Sequence, residues 1–191
     1  FKHYIYCKSK KKMSNKKNIF KLISTHQAVI GVIGLGYVGL PLSILFSKKG
    51  FKVIGFDNDK SKIKMLKNNK SYIDRISSKN IKKILNKGFC TSDFSNISKC
   101  DFIIICVPTP LKKNKPNLDY LKLSIKNIDK FLKQDQTIIL ESTSYPGTTR
   151  EILANTISKK FNLGKNFYLG FSSERINPGF NEDYIYKIPK V

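Results

Sequence analysis

The chain has 191 residues, and 36 Lys and Arg against 13 Asp and Glu give it a formal net charge of +23. Its length and its hydrophobic content of 40% exclude a fully disordered chain and allow one domain with a core. No run of ~18 apolar residues occurs, so we expect no membrane-spanning helix and no membrane partner. The four cysteines lack CxxC spacing and a His cluster. We therefore expect no metal, no disulfide framework and reduced thiols in a cytoplasm.

The positive charge comes almost entirely from lysine. Lysine supplies 33 of the 36 basic residues, and Lys, Ile and Asn together make up 74 of the 191 residues. That bias is typical of an AT-rich genome, whereas nucleic-acid readers usually add Arg and clustered aromatic side chains. We therefore expect no specific nucleic-acid partner, although the charge is compatible with weak, non-specific binding to polyanions.

The pattern along the chain predicts an arm followed by one α/β domain. Residues 1–27 hold eight Lys and no acid, and we interpret them as a basic, disordered arm. From Ala28 onward, short apolar runs alternate with segments of helical spacing. The predicted strands are 28–33, 52–57, 89–91, 102–107, 137–140 and 167–171, and the predicted helices are 37–49, 59–69, 79–87, 119–132 and 148–160. Apolar strands alternating with helices indicate a doubly wound parallel sheet with helices on both faces.

A glycine-rich turn lies between the first strand and the first helix of this domain. Residues 34–39, Gly-Leu-Gly-Tyr-Val-Gly, fit G-x-G-x-x-G in the required context. Gly34 permits the tight turn, Gly36 lets the backbone approach a diphosphate, and Gly39 lets the helix pack closely on the strand. The N–H groups and dipole of the helix N-terminus then hold the phosphate charge. The alternative is a tight turn that binds nothing.

An acidic residue stands where a dinucleotide ribose would need it. Asp57 lies 23 residues after Gly34, at the end of the second predicted strand. A carboxylate there accepts hydrogen bonds from both ribose hydroxyls and repels a 2′-phosphate, which favours NAD over NADP. Lys60 and Lys62 oppose this, since they would attract such a phosphate. Asp57 could instead cap the next helix, and the two roles are compatible.

Five segments in chain order resemble those of the UDP-glucose/GDP-mannose dehydrogenase family. They are Gly-Leu-Gly-Tyr-Val-Gly-Leu-Pro at 34–41, Asp-Asn-Asp-Lys-Ser-Lys at 57–62, Cys-Val-Pro-Thr-Pro at 106–110, Glu-Ser-Thr-Ser-Tyr-Pro-Gly-Thr-Thr at 141–149 and Ser-Ser-Glu-Arg-Ile-Asn-Pro-Gly at 172–179. The last segment resembles the form that is typical of the family branch that oxidises UDP-N-acetylhexosamines. The resemblance covers residues 28–191, which we therefore expect to form a Rossmann-type NAD-binding domain.

The resemblance implies a four-electron oxidation. Carbon 6 of a UDP-N-acetylhexosamine goes from alcohol to carboxylate with two NAD, giving a uronic acid for surface polysaccharides. A cysteine thiolate traps the aldehyde, and a thioester is then hydrolysed. By position, Glu174 would orient or activate the hydrolytic water as a catalytic residue, and Thr143 would support that water and the developing oxyanion. The family also implies a homodimer or larger assembly of the full-length protein.

The same resemblance assigns cofactor contacts. The backbone N–H groups near Tyr37 and Val38 would meet the diphosphate, and Lys62 would face the cofactor beside Asp57. A second set would lie near the nicotinamide half and comprises Thr109, Glu141 and Thr143. These residues follow strand C-termini, the edge at which open α/β sheets bind ligands.

Each of these residues also has a purely structural interpretation. Thr143 and Thr148 could satisfy turn backbone, and Thr148 could cap the following helix. Thr109 could be a stiff loop residue between prolines. Glu174 and Arg175 could form a surface ion pair of small energetic weight. Their shared placement favours function.

The chain departs from the family at two points. Ser173 replaces the family's proline before Glu174. The family's nucleophilic cysteine and catalytic lysine lie beyond residue 191, as do its central and C-terminal substrate domains, so we expect this fragment to be inactive alone. The competing hypotheses are a β-hydroxyacid-type NAD dehydrogenase, and a truncated NAD-binding or basic binding remnant that no longer catalyses.

Overall fold

A parallel β-sheet organises the protein. The computed structural model describes residues 19–113 and 115–173. The strands are β1 (Val29–Ile33), β2 (Lys52–Phe56), β3 (Phe89–Thr91), β4 (Phe102–Ile105), β5 (Leu111–Lys112), β6 (Lys115–Pro116), β7 (Thr137–Leu140) and β8 (Tyr168–Phe171). Six of them form one sheet in the order β3-β2-β1-β4-β7-β8, and β5 and β6 form a separate antiparallel hairpin.

All pairings in the six-stranded sheet are parallel. From β1 the chain moves outward through β2 and β3 on one side, then returns to place β4, β7 and β8 on the other. The direction of winding therefore reverses between β1 and β4. At such a reversal the two following loops separate and leave a crevice beyond the carboxyl ends of the strands.

Helices cover both faces of the sheet. They are α1 (Ile19–Ser24), α2 (Gly39–Lys48), α3 (Lys60–Lys67), α4 (Ser78–Lys87), α5 (Asp119–Ile128) and α6 (Asn155–Ile157). On one face, Leu40 of α2 and Ile81 of α4 belong to one buried apolar cluster. On the other face, Leu121 of α5 and Ile157 of α6 belong to a second. The predicted doubly wound α/β fold is therefore confirmed, because apolar surface on both sides of the strands is buried.

The structure differs from the predicted elements at the start of the described chain. The predicted disordered arm ran to residue 27, but Ile19–Ser24 forms α1. Leu22 explains the difference, since its side chain packs against the core and its carbonyl accepts the amide of Ala28 at 3.1 Å. Residues 1–18 of the predicted arm lie outside the described residues.

Other elements differ in their ends and type. The six sheet strands and helices α2 to α4 begin and end within two residues of their predicted bounds. The helix predicted over 119–132 ends at Ile128 and continues as a 3-10 turn over Asp129–Phe131. The helix predicted over 148–160 is a π-helical segment, Thr149–Ala154, followed by α6. Within residues 19–113 and 115–173, no helix is both long and apolar enough to cross a bilayer.

Candidate functional site

The glycine turn lies at the reversal between β1 and β4. Gly34 has φ +89°, a left-handed conformation that favours glycine, and its amide donates to the carbonyl of Phe56 at 2.8 Å. A Cβ on Gly34 would lie 2.8 Å from the carbonyl oxygen of Cys106. Gly34 therefore lets the chain turn sharply between the ends of β2 and β4.

The other two glycines of the turn have opposite surroundings. A Cβ on Gly39 would lie 1.9 Å from the carbonyl oxygen of Gly34, so only glycine lets α2 pack this closely on the turn. A Cβ on Gly36 would meet nothing within 4 Å. Gly36 thus leaves an open cradle in the position where a bound diphosphate requires close approach of the backbone.

The N-terminus of α2 faces that cradle without a side-chain cap. Val38 is the N-cap residue and makes no side-chain cap hydrogen bond, and the first helical hydrogen bond runs from the Leu40 amide to the Gly36 carbonyl at 3.1 Å. The preceding amides have no acceptor within the helix. Tyr37 is 67% exposed, so its side chain is not buried in the core beneath the cradle. Such an uncapped helix N-terminus can hold an anionic group, and the diphosphate contact at Tyr37 and Val38 stays a prediction.

Asp57 stands beside the turn and is tied to it. One carboxylate oxygen accepts the Leu35 amide at 2.9 Å, and the other accepts the Asp59 amide at 2.9 Å. The Lys62 ammonium lies 3.9 Å from the first oxygen and forms a long ion pair with Asp57. Each oxygen retains a lone pair for a ribose hydroxyl.

The capping role considered for Asp57 belongs to Asp59. The Asp59 side chain accepts the amides of Ser61 at 2.8 Å and Lys62 at 3.3 Å at the start of α3. The hydrogen bond from the Ser61 hydroxyl, followed by those two amides, lowers the pKa of Asp59. Asp57 is therefore not the N-cap residue of α3.

Tyr72 contacts this turn, although nothing in the sequence predicted it. Its hydroxyl donates to the carbonyl of Leu35, 37 residues earlier in the chain. The Lys62 ammonium lies 5.6 Å from the centre of the Tyr72 ring, within range of a cation–π interaction. Burial, and next the charge of Asp57, raises the pKa of Tyr72, so the hydroxyl keeps its proton. No local pattern around residue 72 signals this contact.

The predicted nicotinamide-side residues follow β4 and β7. The Thr109 hydroxyl donates to the carbonyl of Thr143, and the Ser142 hydroxyl donates to the Val107 carbonyl at 2.7 Å. Glu141 is 5% exposed, whereas Thr143 is exposed. The structure therefore brings Thr109 and Thr143 into contact at one edge of the sheet. Glu174 lies outside the described residues.

Thr148 has the structural role considered for it, but not as a cap. Its hydroxyl donates to the carbonyl of Tyr145 at 2.8 Å, and it makes no side-chain cap to the following helix. Gly147, at φ +101°, turns the chain here, and the Tyr145 hydroxyl donates to Glu151 at 2.9 Å. Thr148 thus closes the turn that follows Thr143.

The three described cysteines, Cys90, Cys100 and Cys106, are buried and form no disulfide. Burial raises the pKa of Cys90 to about 12 and that of Cys100 to about 12, so both are protonated near neutral pH. Cys106 follows β4 and is 7% exposed. Among residues 19–113 and 115–173, no group of three or more His, Cys, Asp or Glu side chains is placed to hold a metal ion.

Comparison with known proteins identifies the family. A profile described as "UDP-glucose/GDP-mannose dehydrogenase family, NAD binding domain" matches residues 28–191. The chain belongs to the UDP-glucose/GDP-mannose dehydrogenase family. The matched part is that family's NAD-binding domain, which confirms the resemblance and the predicted cofactor.

Curated relatives of this dehydrogenase family match over most of the chain. Protein CapL of Staphylococcus aureus is 44% identical over 166 residues, which cover 85% of this chain and 38% of CapL. UDP-N-acetyl-D-glucosamine 6-dehydrogenase of Pseudomonas aeruginosa is 37% identical over 165 residues, which cover 85% of this chain and 39% of that protein. The chain thus spans less than two-fifths of the length of these relatives.

Solved structures of the family share the fold. The UDP-N-acetyl-mannosamine dehydrogenase Cap5O of Staphylococcus aureus matches with a TM-score of 0.74 and 31% identity, covering 80% of this chain and 37% of that one. A GDP-mannose dehydrogenase ternary complex from Pseudomonas aeruginosa matches with a TM-score of 0.74 and 27% identity, covering 83% and 38%. A Mycobacterium tuberculosis 3-hydroxyisobutyrate dehydrogenase, at 16% identity and TM-score 0.53 over 76% and 40%, shares the fold alone.

Proposed function

We propose that this chain is the NAD-binding part of an enzyme that oxidises carbon 6 of a UDP-N-acetylhexosamine to the uronic acid with two NAD, for surface polysaccharide synthesis. The observation that carries the proposal is the open cradle at Gly36, with the Asp57 carboxylate held beside it through the Leu35 amide. The substrate class is supported by the residues at 172–175 and by the names of the relatives.

The binding role follows from the chemistry of the site. NAD, when bound, accepts a hydride from the carbon being oxidised. The amides that open α2 hold its diphosphate, and Asp57 accepts hydrogen bonds from the ribose hydroxyls, with the Lys62 ammonium 3.9 Å from that carboxylate. The contact between Thr109 and Thr143 links two loops, which supports assigning them together to the nicotinamide side, and the family resemblance supports adding Glu141 to that group.

The catalytic roles are proposals for the full-length protein. Thr143 is exposed at the carboxyl edge of the sheet, in a position to support a water molecule. Glu174 would orient or activate that water during thioester hydrolysis. The family resemblance implies that the nucleophilic cysteine and the catalytic lysine lie beyond residue 191, so the chain alone is expected to bind NAD without turnover.

Assembly and location are further parts of the proposal. The family resemblance supports a homodimer or larger assembly of the full-length protein. Reduced thiols at Cys90, Cys100 and Cys106 support a reducing, cytoplasmic setting.

Calorimetry with the 191-residue chain tests the binding half of the proposal. We expect heat of binding and protection against thermal unfolding with NAD, and much weaker effects with NADP. The absence of both effects with NAD would contradict the proposal. For the catalytic half, a full-length version should release two NADH per UDP-N-acetylhexosamine, and a ratio of one would rule out the four-electron oxidation.

A further inference from the structure

We propose that Tyr72 is a positioning residue for dinucleotide binding, which fixes one peptide group of the glycine turn and thereby aims the Gly36 amide at the diphosphate. The inference rests on the proposed binding of NAD at this turn. It adds a residue that lies outside the glycine string and outside every segment on which the family resemblance was based.

Both polar backbone groups of Leu35 are held by side chains from elsewhere in the chain. Its amide donates to Asp57 at 2.9 Å, and its carbonyl accepts the Tyr72 hydroxyl. Its own side chain is fully buried. Leu35 is therefore fixed from three directions, although it lies between two glycines in a loop.

The Tyr72 contact acts directly on the next residue. The Leu35 carbonyl and the Gly36 amide belong to the same planar trans peptide, so the C=O and N–H bonds point in opposite directions. When Tyr72 holds the carbonyl, the Gly36 N–H is turned away from Tyr72. Gly36 is also the residue with open space around its Cα.

Glycine makes this restraint necessary. A residue without Cβ populates both signs of φ, so a peptide between Leu35 and Gly36 rotates easily unless something holds it. A hydrogen bond made before the ligand arrives removes that freedom in advance, and binding then costs less ordering. The Tyr72 hydroxyl supplies such a bond without touching the ligand.

Tyr72 is itself well placed by its neighbours. The Ser71 hydroxyl donates to the Ile73 carbonyl at 2.9 Å and accepts the Ile73 amide at 3.0 Å, and the Ile73 side chain is buried. Lys62 lies over the Tyr72 ring. These contacts do not involve the Tyr72 hydroxyl, so Tyr72→Phe should keep the ring in place and remove only the hydrogen bond to Leu35.

The test compares three ligands by calorimetry or ligand-observed NMR on the 191-residue chain. With Tyr72→Phe we expect NAD and ADP-ribose to bind about 3- to 10-fold more weakly, the range for one lost neutral hydrogen bond. Adenosine, which has no phosphate, should bind to Tyr72→Phe with the same affinity as to the wild type. The matched control is Tyr168→Phe, which also removes a hydroxyl that donates to a loop carbonyl, that of Lys165 at 3.1 Å. It should change none of the three affinities.

A second measurement does not depend on affinity. The 15N order parameter of the Gly36 amide in the free protein should be lower in Tyr72→Phe than in the wild type or the control, because the Leu35–Gly36 peptide then rotates more freely. Unchanged NAD affinity and an unchanged order parameter at Gly36 would overturn the role of Tyr72 while leaving NAD binding intact. An equal loss for adenosine and NAD would also overturn it, because that pattern indicates general loosening. If the wild type binds no NAD, the proposed function fails and this inference fails with it.

Discussion

The Asp57 carboxylate accepts the backbone amide of Leu35 at 2.9 Å, across 22 residues of the chain. The residue proposed to hold the ribose therefore also braces the turn proposed to hold the diphosphate. Because the same carboxylate contacts the turn and is the proposed acceptor of the ribose hydroxyls, the turn and the ribose acceptor are fixed relative to each other before any ligand binds.

Asp57→Asn should separate the charge of this residue from its bracing role. The amide oxygen can still accept the Leu35 N–H, and only the exposed Asp59 N–H loses its acceptor to the new NH2 group, so the fold should be retained while the charged acceptor for the ribose is lost. We expect about 10- to 100-fold weaker NAD binding, the range for hydrogen bonds to a charged group. The preference for NAD over NADP should shrink, because Lys62 is released to meet a 2′-phosphate.

Calorimetry with both dinucleotides measures these two effects. Asp93→Asn is the matched control, since Asp93 also follows a sheet strand and its carboxylate accepts a backbone amide, that of Ser95 at 3.0 Å in the 3-10 helix Phe94–Lys99. An equal loss of NAD and NADP affinity would show that charge repulsion does not set the preference.

The glycines at 36 and 39 should respond to alanine in opposite ways. In Gly36→Ala the added methyl enters open space, so thermal stability should stay near that of the wild type while NAD affinity falls at least about 10-fold. In Gly39→Ala the methyl would lie 1.9 Å from the Gly34 carbonyl oxygen, which should cost about 3 kcal/mol or more of stability. Thermal unfolding and NAD titration of both variants provide the test, and normal NAD binding by Gly36→Ala would contradict the cradle.

The features that could be predicted from the sequence are those that depend on short segments of the chain. The run at Phe102–Ile105 is readable because this strand is buried between two helical layers, and buried parallel strands are apolar throughout. The glycine turn is readable because its requirements fall within six consecutive residues. Both features follow from local chemistry.

Contacts between distant segments could not be predicted in this way. Tyr72 and Leu35 are 37 residues apart, and Thr109 and Thr143 are 34 residues apart. In each pair a side-chain hydroxyl donates to a backbone carbonyl. Every residue has such a carbonyl, so the sequence does not show which one the hydroxyl contacts. The short helix α1 was also missed, because a single apolar side chain, that of Leu22, attaches it to the core.

Thr109→Val should weaken one half of the cofactor site only. The substitution keeps the shape of the side chain and removes the hydroxyl that ties Thr109 to the Thr143 carbonyl. We expect NAD to bind about 3- to 10-fold more weakly and ADP-ribose, which has no nicotinamide, to bind unchanged. Thr156→Val, which removes a hydroxyl bound to the Ile152 carbonyl at 2.9 Å, is the control. An equal loss of ADP-ribose affinity would contradict the assignment of Thr109 to the nicotinamide half of the cofactor site.

Two buried thiols should make the protein less stable in alkali. Burial raises the pKa of Cys90 and that of Cys100 from 9 to about 12 in the folded chain. Below pH 9 both states hold these protons, so the thiols leave stability unchanged there. Between pH 9 and 12 the unfolded chain loses protons that the folded chain keeps, so stability falls as pH rises, by up to about 1.4 kcal/mol per pH unit for each thiol.

Urea unfolding at pH 8, 9, 10 and 10.5 measures this slope. Cys100→Ala should be less stable than the wild type at pH 8 because it leaves a cavity, but its stability should fall less steeply above pH 9. Ile97→Val, at a fully buried neighbouring position, is the control: it should lower stability at every pH and keep the wild-type slope. If Cys100→Ala retained the full alkaline slope, the Cys100 thiol would have to ionise equally in the folded and unfolded chains, contrary to its burial.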